Sequence, residues 1–307
     1  MNAGLLSLLL SFFLFMELPP TAPDTVSEAR SNCASADATD SARNPIVGDT
    51  LISLEEIDLV YDGDGGEPFL ALSHLDLNLN DGDFVCAIGP SGCGKTSLLR
   101  VLAGYERPTH GTVTVDGRPH TKPDAEVGVV FQQPNLFPWL TIEKNVDFGP
   151  RMKGVENLQR KQRVSYFLEM VSLLDAAKKL PHQLSGGMKQ RAAIARALAA
   201  DPKVILMDEP FGALDAFTRE SMQLSLYDIW RKTNKSIFFI THDVEEALLL
   251  STRVILMYAN PGRIVEDIPN PFSARLQDTP PADIRVSKDF IEMREYLVRR
   301  IKESGEY

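Results

Sequence analysis

The chain has 307 residues, of which 44% are hydrophobic and 24% are charged, so it is long enough to bury one large or two modest cores. This composition excludes a chain that is disordered throughout. The net charge is −10, from 42 acidic and 32 basic residues, which disfavours a surface for duplex nucleic acid, and we expect no nucleic-acid partner. Three cysteines are too few for a disulfide framework and favour a reducing compartment, the cytoplasmic side.

Residues 1–47 are predicted to be an N-terminal extension outside the folded domain. The apolar stretch from Leu5 to Met16 is shorter than the roughly 20 residues that a membrane-spanning helix needs. A secretory signal normally has a basic residue before such a stretch, but the first basic residue here is Arg30. We therefore expect a disordered linker or a misassigned start site, with a signal or anchor as the alternative. The sequence shows no second stretch of transmembrane length, so a membrane role would depend on partner chains.

Residues 48–270 are predicted to form one α/β domain. Alternation with polar residues predicts a strand with one buried face at Leu75, Leu77 and Leu79. The continuous apolar run Phe84–Ile88 is typical of a buried strand, and a glycine-rich turn follows it. The next segment, Ser97–Ala103, has a helical pattern. This order of elements is the first sign of an α/β fold.

Residues 140–200 are predicted to be a helical insert in that domain. Apolar residues recur there at helical spacing, at Val164, Phe167, Leu168, Val171 and Leu174. Two further apolar runs, Val204–Met207 and Ile237–Ile240, are predicted strands, and each is followed by a predicted helix. The alternation of strands and helices therefore continues beyond the insert.

A phosphate-binding loop is predicted between the buried strand and its helix. The segment Gly89 to Thr96 satisfies G-x-x-x-x-G-K-[ST], in which glycines let backbone N–H groups surround a phosphate at a helix N-terminus. The predicted nucleotide-binding residues are Gly89, Pro90, Ser91, Gly92, Cys93, Gly94, Lys95, Thr96 and Ser97. Lys95 is expected to reach the outer phosphates and Thr96 to bind Mg²⁺. Cys93 is expected to be a tolerated small residue, with a reactive thiol as the alternative.

A pair of carboxylates ends the apolar strand at residues 204–207. In the segment Val204–Pro210, Asp208 is predicted to hold Mg²⁺ and Glu209 to orient or deprotonate the attacking water. The alternative is that both carboxylates are solvated surface groups. The phosphate-binding loop earlier in the chain makes the hydrolytic interpretation the stronger one.

A second predicted anion-binding element lies at Ser185, Gly186 and Gly187, at the start of a predicted helix. The alternative is an ordinary N-capped helix with Ser185 as its cap. With the two preceding motifs, the segment Leu184–Arg191 resembles the signature of ATP-binding cassette (ABC) ATPases. The resemblance covers residues 51–270 and implies a P-loop NTPase core similar to RecA, an antiparallel β-subdomain and an α-helical subdomain. It also implies ATP and Mg²⁺ as cofactors.

The resemblance implies roles for four further residues. Tyr61 is similar to the aromatic residue that stacks on adenine, and Gln132 resembles the Q-loop glutamine that contacts Mg²⁺ and the γ-phosphate. Asp215 matches the D-loop, and His242 matches the switch histidine, so the expected catalytic set is Glu209, His242, Lys95 and Gln132. A head-to-tail homodimer is implied, in which the signature of one chain completes the ATP site of the other. Met188 departs from the commonest signature, and we expect altered tuning without loss of activity.

The segment Pro134–Ile142 resembles the nitrate, sulfonate and taurine importer branch of this family, as does the segment Asp208–Arg219. The branch implies permease subunits as direct partners, a solute-binding protein as an indirect one, and a peripheral location on the cytoplasmic face of the inner membrane. Phe137 and Trp139 are expected to contact the permease, the alternative being that Trp139 packs into the insert. Residues 271–307 are expected to be a tail whose helix resembles that of taurine importer ATPases. Taurine or another sulfonate is the expected cargo, with nitrate or another small solute as the alternative.

Two other classes are disfavoured by the sequence. A DNA-repair ABC ATPase would have a long coiled coil between the P-loop and the signature, and a translation factor would have two cassettes. A regulatory module without turnover would be expected to lack Lys95 or Glu209, and both are present. An ATP-hydrolysing transport subunit is therefore the expected function.

Overall fold

A computed structural model describes residues 50–62, 67–212 and 214–304, so the predicted extension at 1–47 lies outside the described residues. The strands are β1 Thr50–Asp62, β2 Pro68–Asn80, β3 Phe84–Ile88, β4 His110–Val115, β5 Arg118–Pro119, β6 Val127–Val130, β7 Val204–Asp208, β8 Ser236–Ile240, β9 Arg253–Tyr258 and β10 Arg263–Pro269. The helices are α1 Lys95–Leu102, α2 Ile142–Met152, α3 Asn157–Met170, α4 Gly186–Ala199, α5 Ala216–Thr233, α6 Val244–Leu250, α7 Phe272–Arg275, α8 Pro281–Arg285 and α9 Lys288–Glu303. The alternation confirms the predicted α/β class.

A six-stranded sheet in the order β10-β9-β3-β8-β7-β6 carries the functional motifs. Strands β9, β3, β8, β7 and β6 run parallel, and β10 pairs with β9 in the antiparallel sense. Every residue of β3 and β8 is buried, which explains their continuous apolar sequences. Parallel strands place their carboxyl ends at one edge, so the segments after β3, β7 and β8 emerge together.

A four-stranded antiparallel sheet, in the order β2-β1-β4-β5, contacts the other side of α1. The predicted alternation in β2 is confirmed, because Leu75, Leu77 and Leu79 are buried while Asp76 and Asn78 are exposed. Their side chains join one apolar cluster with α1 and with residues of the parallel sheet. This cluster fixes α1, and with it the phosphate-binding loop, between the two sheets.

The predicted helical insert corresponds to α2, α3 and α4 with two short 3₁₀ turns. Val164, Phe167 and Leu168 are buried on the inner face of α3, as their spacing predicts. That helix is shorter than the sequence pattern indicates, because it ends at Met170. Leu174 lies in a 3₁₀ turn instead and is 48% exposed, so it does not extend the buried stripe.

The C-terminal helix α9 packs against the main apolar cluster. Phe290 and Leu297 are fully buried there, and the Phe290 ring meets the Phe272 ring edge-on at 5.1 Å. The tail is thus attached to the face of the domain that also carries α6. Within the described residues, no helix combines the length and apolar character that crossing a bilayer requires.

Candidate active site

The phosphate-binding loop runs from the end of β3 into α1, and its glycines Gly92 and Gly94 both have a left-handed backbone conformation. Gly94 precedes α1 with φ +89°, and a Cβ there would lie 2.7 Å from Leu72 Cδ2. Gly92 has φ +79°, but a Cβ there would meet no heavy atom within 4 Å. Gly94 is therefore required by packing as well as by backbone conformation, whereas Gly92 faces open space.

Lys95 lies inside the curve of the loop. Its Nζ donates to the carbonyl oxygens of Gly89 at 2.8 Å and Pro90 at 2.9 Å, so the buried ammonium is satisfied by backbone dipoles. Cys93 is fully buried, and its burial raises the pKa of the thiol even though Lys95 acts in the opposite direction. A raised thiol pKa supports the structural interpretation of Cys93 over a reactive one.

Asp208, at the end of β7, lies beside the start of α1. The Thr96 hydroxyl donates to Asp208 Oδ2 at 3.3 Å. The pKa of Asp208 is raised overall. Burial is the largest cause and the charge of the adjacent Glu209 adds to it, while the Thr96 hydrogen bond acts in the opposite direction. Two of the three predicted Mg²⁺ ligands, Thr96 and Asp208, are thus joined by one hydrogen bond.

Glu209 is the point at which three motifs meet. Its Oε2 lies 3.5 Å from Gln132 Nε2, in the segment after β6, and 3.2 Å from His242 Nδ1, after β8. Its N–H donates to Ile240 O at 3.0 Å, and its φ of +43° is left-handed. This conformation costs a non-glycine residue on the order of 1–3 kcal/mol, and such strain is concentrated at functional sites. The structure therefore brings Glu209, Gln132 and His242 together around one carboxylate oxygen.

Tyr61 lies near the edge of this site, at the end of β1. Its hydroxyl is 3.4 Å from Ser97 Oγ, on the first turn of α1. The ring is partly buried against the cluster that holds α1. Tyr61 therefore lies beside the phosphate-binding loop.

The signature residues lie at the start of α4. Ser185 caps that helix, with its Oγ accepting the N–H of Met188 at 3.3 Å, while Ser185 and Gly186 remain exposed. A Cβ on Gly187 would lie 3.1 Å from Leu214 Cδ2, so the signature contacts the segment leading to the D-loop. Ser185 is thus a helix cap whose backbone neighbours remain accessible.

Asp215 in the D-loop caps α5 by accepting the N–H of Thr218 at 3.0 Å, and this bond lowers the pKa of the Asp215 carboxyl. The D-loop motif also contains Ala213, which lies outside the described residues. Asp215 therefore begins the helix that follows the Glu209 segment.

Two residues of α4 that the sequence analysis did not single out hold the Q-loop on either side of Gln132. Gln190 Nε2 donates to Phe131 O at 3.0 Å. Arg196 donates to the carbonyl oxygens of Asn135 at 2.7 Å and Pro134 at 3.2 Å, and burial lowers its pKa to about 10. The available signal was a polar side chain on the otherwise apolar, alanine-rich face of a helix.

Phe137 and Trp139 differ in their surroundings. Phe137 is half-buried, with its ring 4.7 Å from the Phe148 ring and 5.7 Å from the Arg196 guanidinium. Trp139 is 65% exposed and approaches the Phe137 ring at 5.8 Å. The alternative that Trp139 packs into the helical insert is therefore not what the structure shows.

Comparison with known proteins identifies the family. The model of the ABC transporter family matches residues 72–212. The taurine import ATP-binding protein TauB of Roseobacter denitrificans is 44% identical over 252 residues, 82% of this chain and 94% of that protein. This chain belongs to the ABC transporter ATP-binding family. TauB proteins of Escherichia coli K12 and Pseudomonas entomophila are 43% and 47% identical over 82% of this chain, covering 98% and 96% of their own lengths.

Solved structures of ABC ATPases have the same fold. The ATP-binding cassette MJ0796, in a dimeric post-hydrolysis state with ADP and Pi, matches with a TM-score of 0.65 and 33% identity over 71% of this chain and 98% of that one. CbiO1 of Clostridium perfringens, part of the CbiONQ transporter complex, matches with a TM-score of 0.65 and 25% identity over 84% of this chain and 100% of that one. The protein is an ATP-binding, ATP-hydrolysing ABC importer subunit.

Proposed function

We propose that this ABC ATPase powers the import of taurine or a related sulfonate through a separate permease. The support is its identity of 43–47% with taurine import ATPases over most of their length. The segment 134–142 and the tail helix resemble the same branch. Nitrate or another small solute is the second candidate, because that resemblance also includes nitrate importers.

The observation that carries the hydrolytic role is the position of the Glu209 carboxylate between Gln132 and His242. Glu209 acts as the base that orients and deprotonates the attacking water, since it directly follows β7, whose last residue, Asp208, lies at Thr96. His242 holds Glu209 in position and stabilises the developing charge. Lys95 exchanges its backbone carbonyl partners for the outer phosphates of ATP.

The residues beside Thr96 fit a magnesium ion. The hydroxyl of Thr96 and the carboxylate of Asp208 offer two oxygen ligands 3.3 Å apart. The side-chain amide of Gln132, whose nitrogen lies 3.5 Å from Glu209 Oε2, has an oxygen to add. The described residues contain no cluster of three or more His, Cys, Asp or Glu side chains able to hold a metal. Magnesium suits this sparse set because it keeps several waters and uses substrate phosphates as ligands. When bound, Mg²⁺ would neutralise charge on the β- and γ-phosphates.

We further propose that two chains form a head-to-tail dimer around ATP. Ser185 and Gly187 of one chain would contact the γ-phosphate bound to Lys95 of the other. The exposed signature at the start of α4 supports this, because free N–H groups at a helix N-terminus favour an anion. The dimeric state of the MJ0796 cassette is further support. ATP-driven closure of the dimer would be the step that moves the permease.

We propose that the exposed Trp139 and the neighbouring Phe137 form the contact with the permease. An exposed tryptophan is typical of an interface anchor, because binding energy at interfaces is concentrated in large aromatic residues. The chain would then lie peripherally on the cytoplasmic face of the inner membrane, with a solute-binding protein delivering cargo on the opposite side.

The test is ATP-dependent uptake in cells that carry the protein together with a candidate permease and a candidate solute-binding protein. Labelled taurine and nitrate are supplied separately, and Glu209→Gln is compared with Glu169→Gln. Glu169 is an exposed carboxylate on α3 and serves as the matched control. The proposal expects taurine uptake that is lost only in Glu209→Gln. Nitrate uptake without taurine uptake would reject the cargo, and unchanged ATP turnover in Glu209→Gln would reject the assignment of the base.

A further inference from the structure

Two arginines of the C-terminal tail contact the helices that follow the D-loop and the switch histidine. Arg294 of α9 donates from Nη1 to Glu245 Oε1 at 2.8 Å. Arg285, at the end of α8, donates from Nη1 to Glu220 Oε1 at 2.7 Å, and its Nε lies 3.7 Å from Glu245 Oε2. Glu220 belongs to α5 and Glu245 to α6, so these four residues, which we call the tail bridge, connect both helices to the tail.

Glu245 is closely connected to the backbone that carries His242. It lies three residues after His242, in the first turn of α6. Asp243 caps that turn, with its Oδ1 accepting the N–H groups of Glu245 at 2.9 Å and Glu246 at 3.2 Å. The side chain of Glu245 is therefore a point at which the tail can fix the first turn of α6, and through it the distance between His242 and Glu209.

A buried contact between α5 and α6 lies beneath the tail bridge. Gln223 Nε2 donates to Glu246 Oε1 at 2.8 Å, and both side chains are buried. Asp215 of the D-loop caps helix α5, so the buried pair already joins the helix after the D-loop to α6, the helix after the switch histidine. The tail bridge joins the same two helices a second time, at the surface.

The tail is held firmly enough to act as a support. Phe290 and Leu297 are fully buried, and Glu266 accepts hydrogen bonds from Tyr296 Oη at 2.6 Å and Arg300 Nε at 2.7 Å. These contacts attach α9 to β10 and to the main core on either side of Arg294. Arg294 therefore offers Glu245 a partner whose position is set by the core.

One atom of the tail bridge lacks a hydrogen bond. Arg285 Nε is buried and makes no hydrogen bond within the described residues. A carboxylate oxygen of Glu245 lies 3.7 Å from this Nε, which is too long for a hydrogen bond. Arg285 therefore holds Glu245 by charge attraction across this gap, while its hydrogen bond goes to Glu220.

We propose that Arg285 and Arg294 are positioning residues for ATP hydrolysis, which set His242 against Glu209 and couple its position to the D-loop helix. The proposal rests on the roles assigned above to Glu209 and His242. The ion pairs are partly exposed, so they contribute little to the stability of the fold. Their effect is expected on the chemical step, because no residue of the tail bridge belongs to the phosphate-binding loop.

The test measures steady-state ATP hydrolysis by the full-length chain. Arg294→Ala and the double variant Arg285→Ala with Arg294→Ala are compared with Lys288→Ala, a change at an exposed residue of the same helix that lies outside the tail bridge. We expect kcat to fall about threefold to tenfold with KM for ATP unchanged, since an interaction made in the transition state is weakened. Arg294→Lys should retain most of kcat, because a lysine can make the single contact with Glu245.

A double-mutant cycle separates positioning from general destabilisation. Glu245→Gln weakens the acceptor, so adding Arg294→Ala to it should cost less kcat than Arg294→Ala costs in the wild type. The proposal is overturned if the double arginine variant keeps wild-type kcat, or if Lys288→Ala lowers kcat by the same factor. It is also overturned if the kcat losses of Glu245→Gln and Arg294→Ala are fully additive. If the hydrolytic roles themselves were wrong, Glu209→Gln would keep its ATP turnover. This result is independent of the kcat measured for the tail variants, so the two failures are distinguishable.

Discussion

Replacing Gly92 by alanine separates the shape of the phosphate-binding loop from its function. Gly92 has φ +79°, and a Cβ there would meet nothing within 4 Å. The left-handed conformation costs an alanine about 1–2 kcal/mol, and the lower entropy of the unfolded alanine chain returns about 0.4–1 kcal/mol. The folded state should therefore lose about 1 kcal/mol, which lowers Tm by roughly 2–4 °C in a domain of this size.

The effect on ATP should be much larger than the effect on stability. If the phosphate chain lies over the loop, the added methyl group occupies its space and removes one or more charge-assisted N–H contacts, at about 1.5–3 kcal/mol each. That loss corresponds to a roughly tenfold to hundredfold higher Kd for ATP. The assays are thermal unfolding and calorimetric titration with ATP and Mg²⁺.

Gly117→Ala is the matched control for this experiment. Gly117 also has a positive φ, +70°, and open space at its Cβ, but it lies in the turn between β4 and β5. It should show a similar loss of Tm with unchanged affinity for ATP. Wild-type affinity in Gly92→Ala, or the same loss of affinity in Gly117→Ala, would refute this account of the loop.

Three further predictions concern other parts of the molecule. Trp139→Ala should change the free energy of unfolding by less than about 0.5 kcal/mol, because the side chain is exposed. It should nevertheless reduce uptake in cells strongly, and full uptake would exclude Trp139 from the permease contact. Phe290→Ala should cost about 3–5 kcal/mol by denaturant unfolding, and a loss below about 1 kcal/mol would mean that the tail is not part of the core. Burial raises the pKa of Glu246, so the folded chain keeps a proton that the unfolded chain releases, and stability falls as pH rises from the ordinary to the raised pKa. Glu246→Gln removes this loss, so its Tm relative to the wild type should increase as the pH rises above the ordinary pKa of a glutamate, and a constant difference would contradict the shift.

Local patterns predict much of the fold because burial follows chain geometry. In β2 the alternation of Leu75, Leu77 and Leu79 with polar residues corresponds to a sheet with one buried face. The apolar run Phe84–Ile88 corresponds to a strand buried on both faces. The prediction that Leu174 continues the buried stripe of a helix was wrong, because the spacing of apolar residues does not show where a helix ends.

The site was predictable only in its motifs. The spacing from Gly89 to Thr96 predicts a phosphate-binding loop, and strand ends predict carboxylates at a common edge. The meeting of Gln132 and His242 at Glu209 depends on strand order, which local pattern does not reveal.

Contacts between distant segments were the least predictable part. Arg196 binds carbonyl groups about sixty residues earlier in the chain, and Arg294 binds a carboxylate on another helix. Such pairs are fixed by tertiary packing, so a single sequence shows the charges without showing their partners.

The central claim is that two chains enclose ATP between the phosphate-binding loop of one and the signature of the other. The most direct test is the molar mass of full-length Glu209→Gln by light scattering, with and without saturating ATP and Mg²⁺. The account predicts a monomer without nucleotide and a stable dimer with it, because neutralising the base prevents the hydrolysis that separates the chains. A Glu209→Gln chain that binds ATP yet remains monomeric, alone and with its permease, would contradict it.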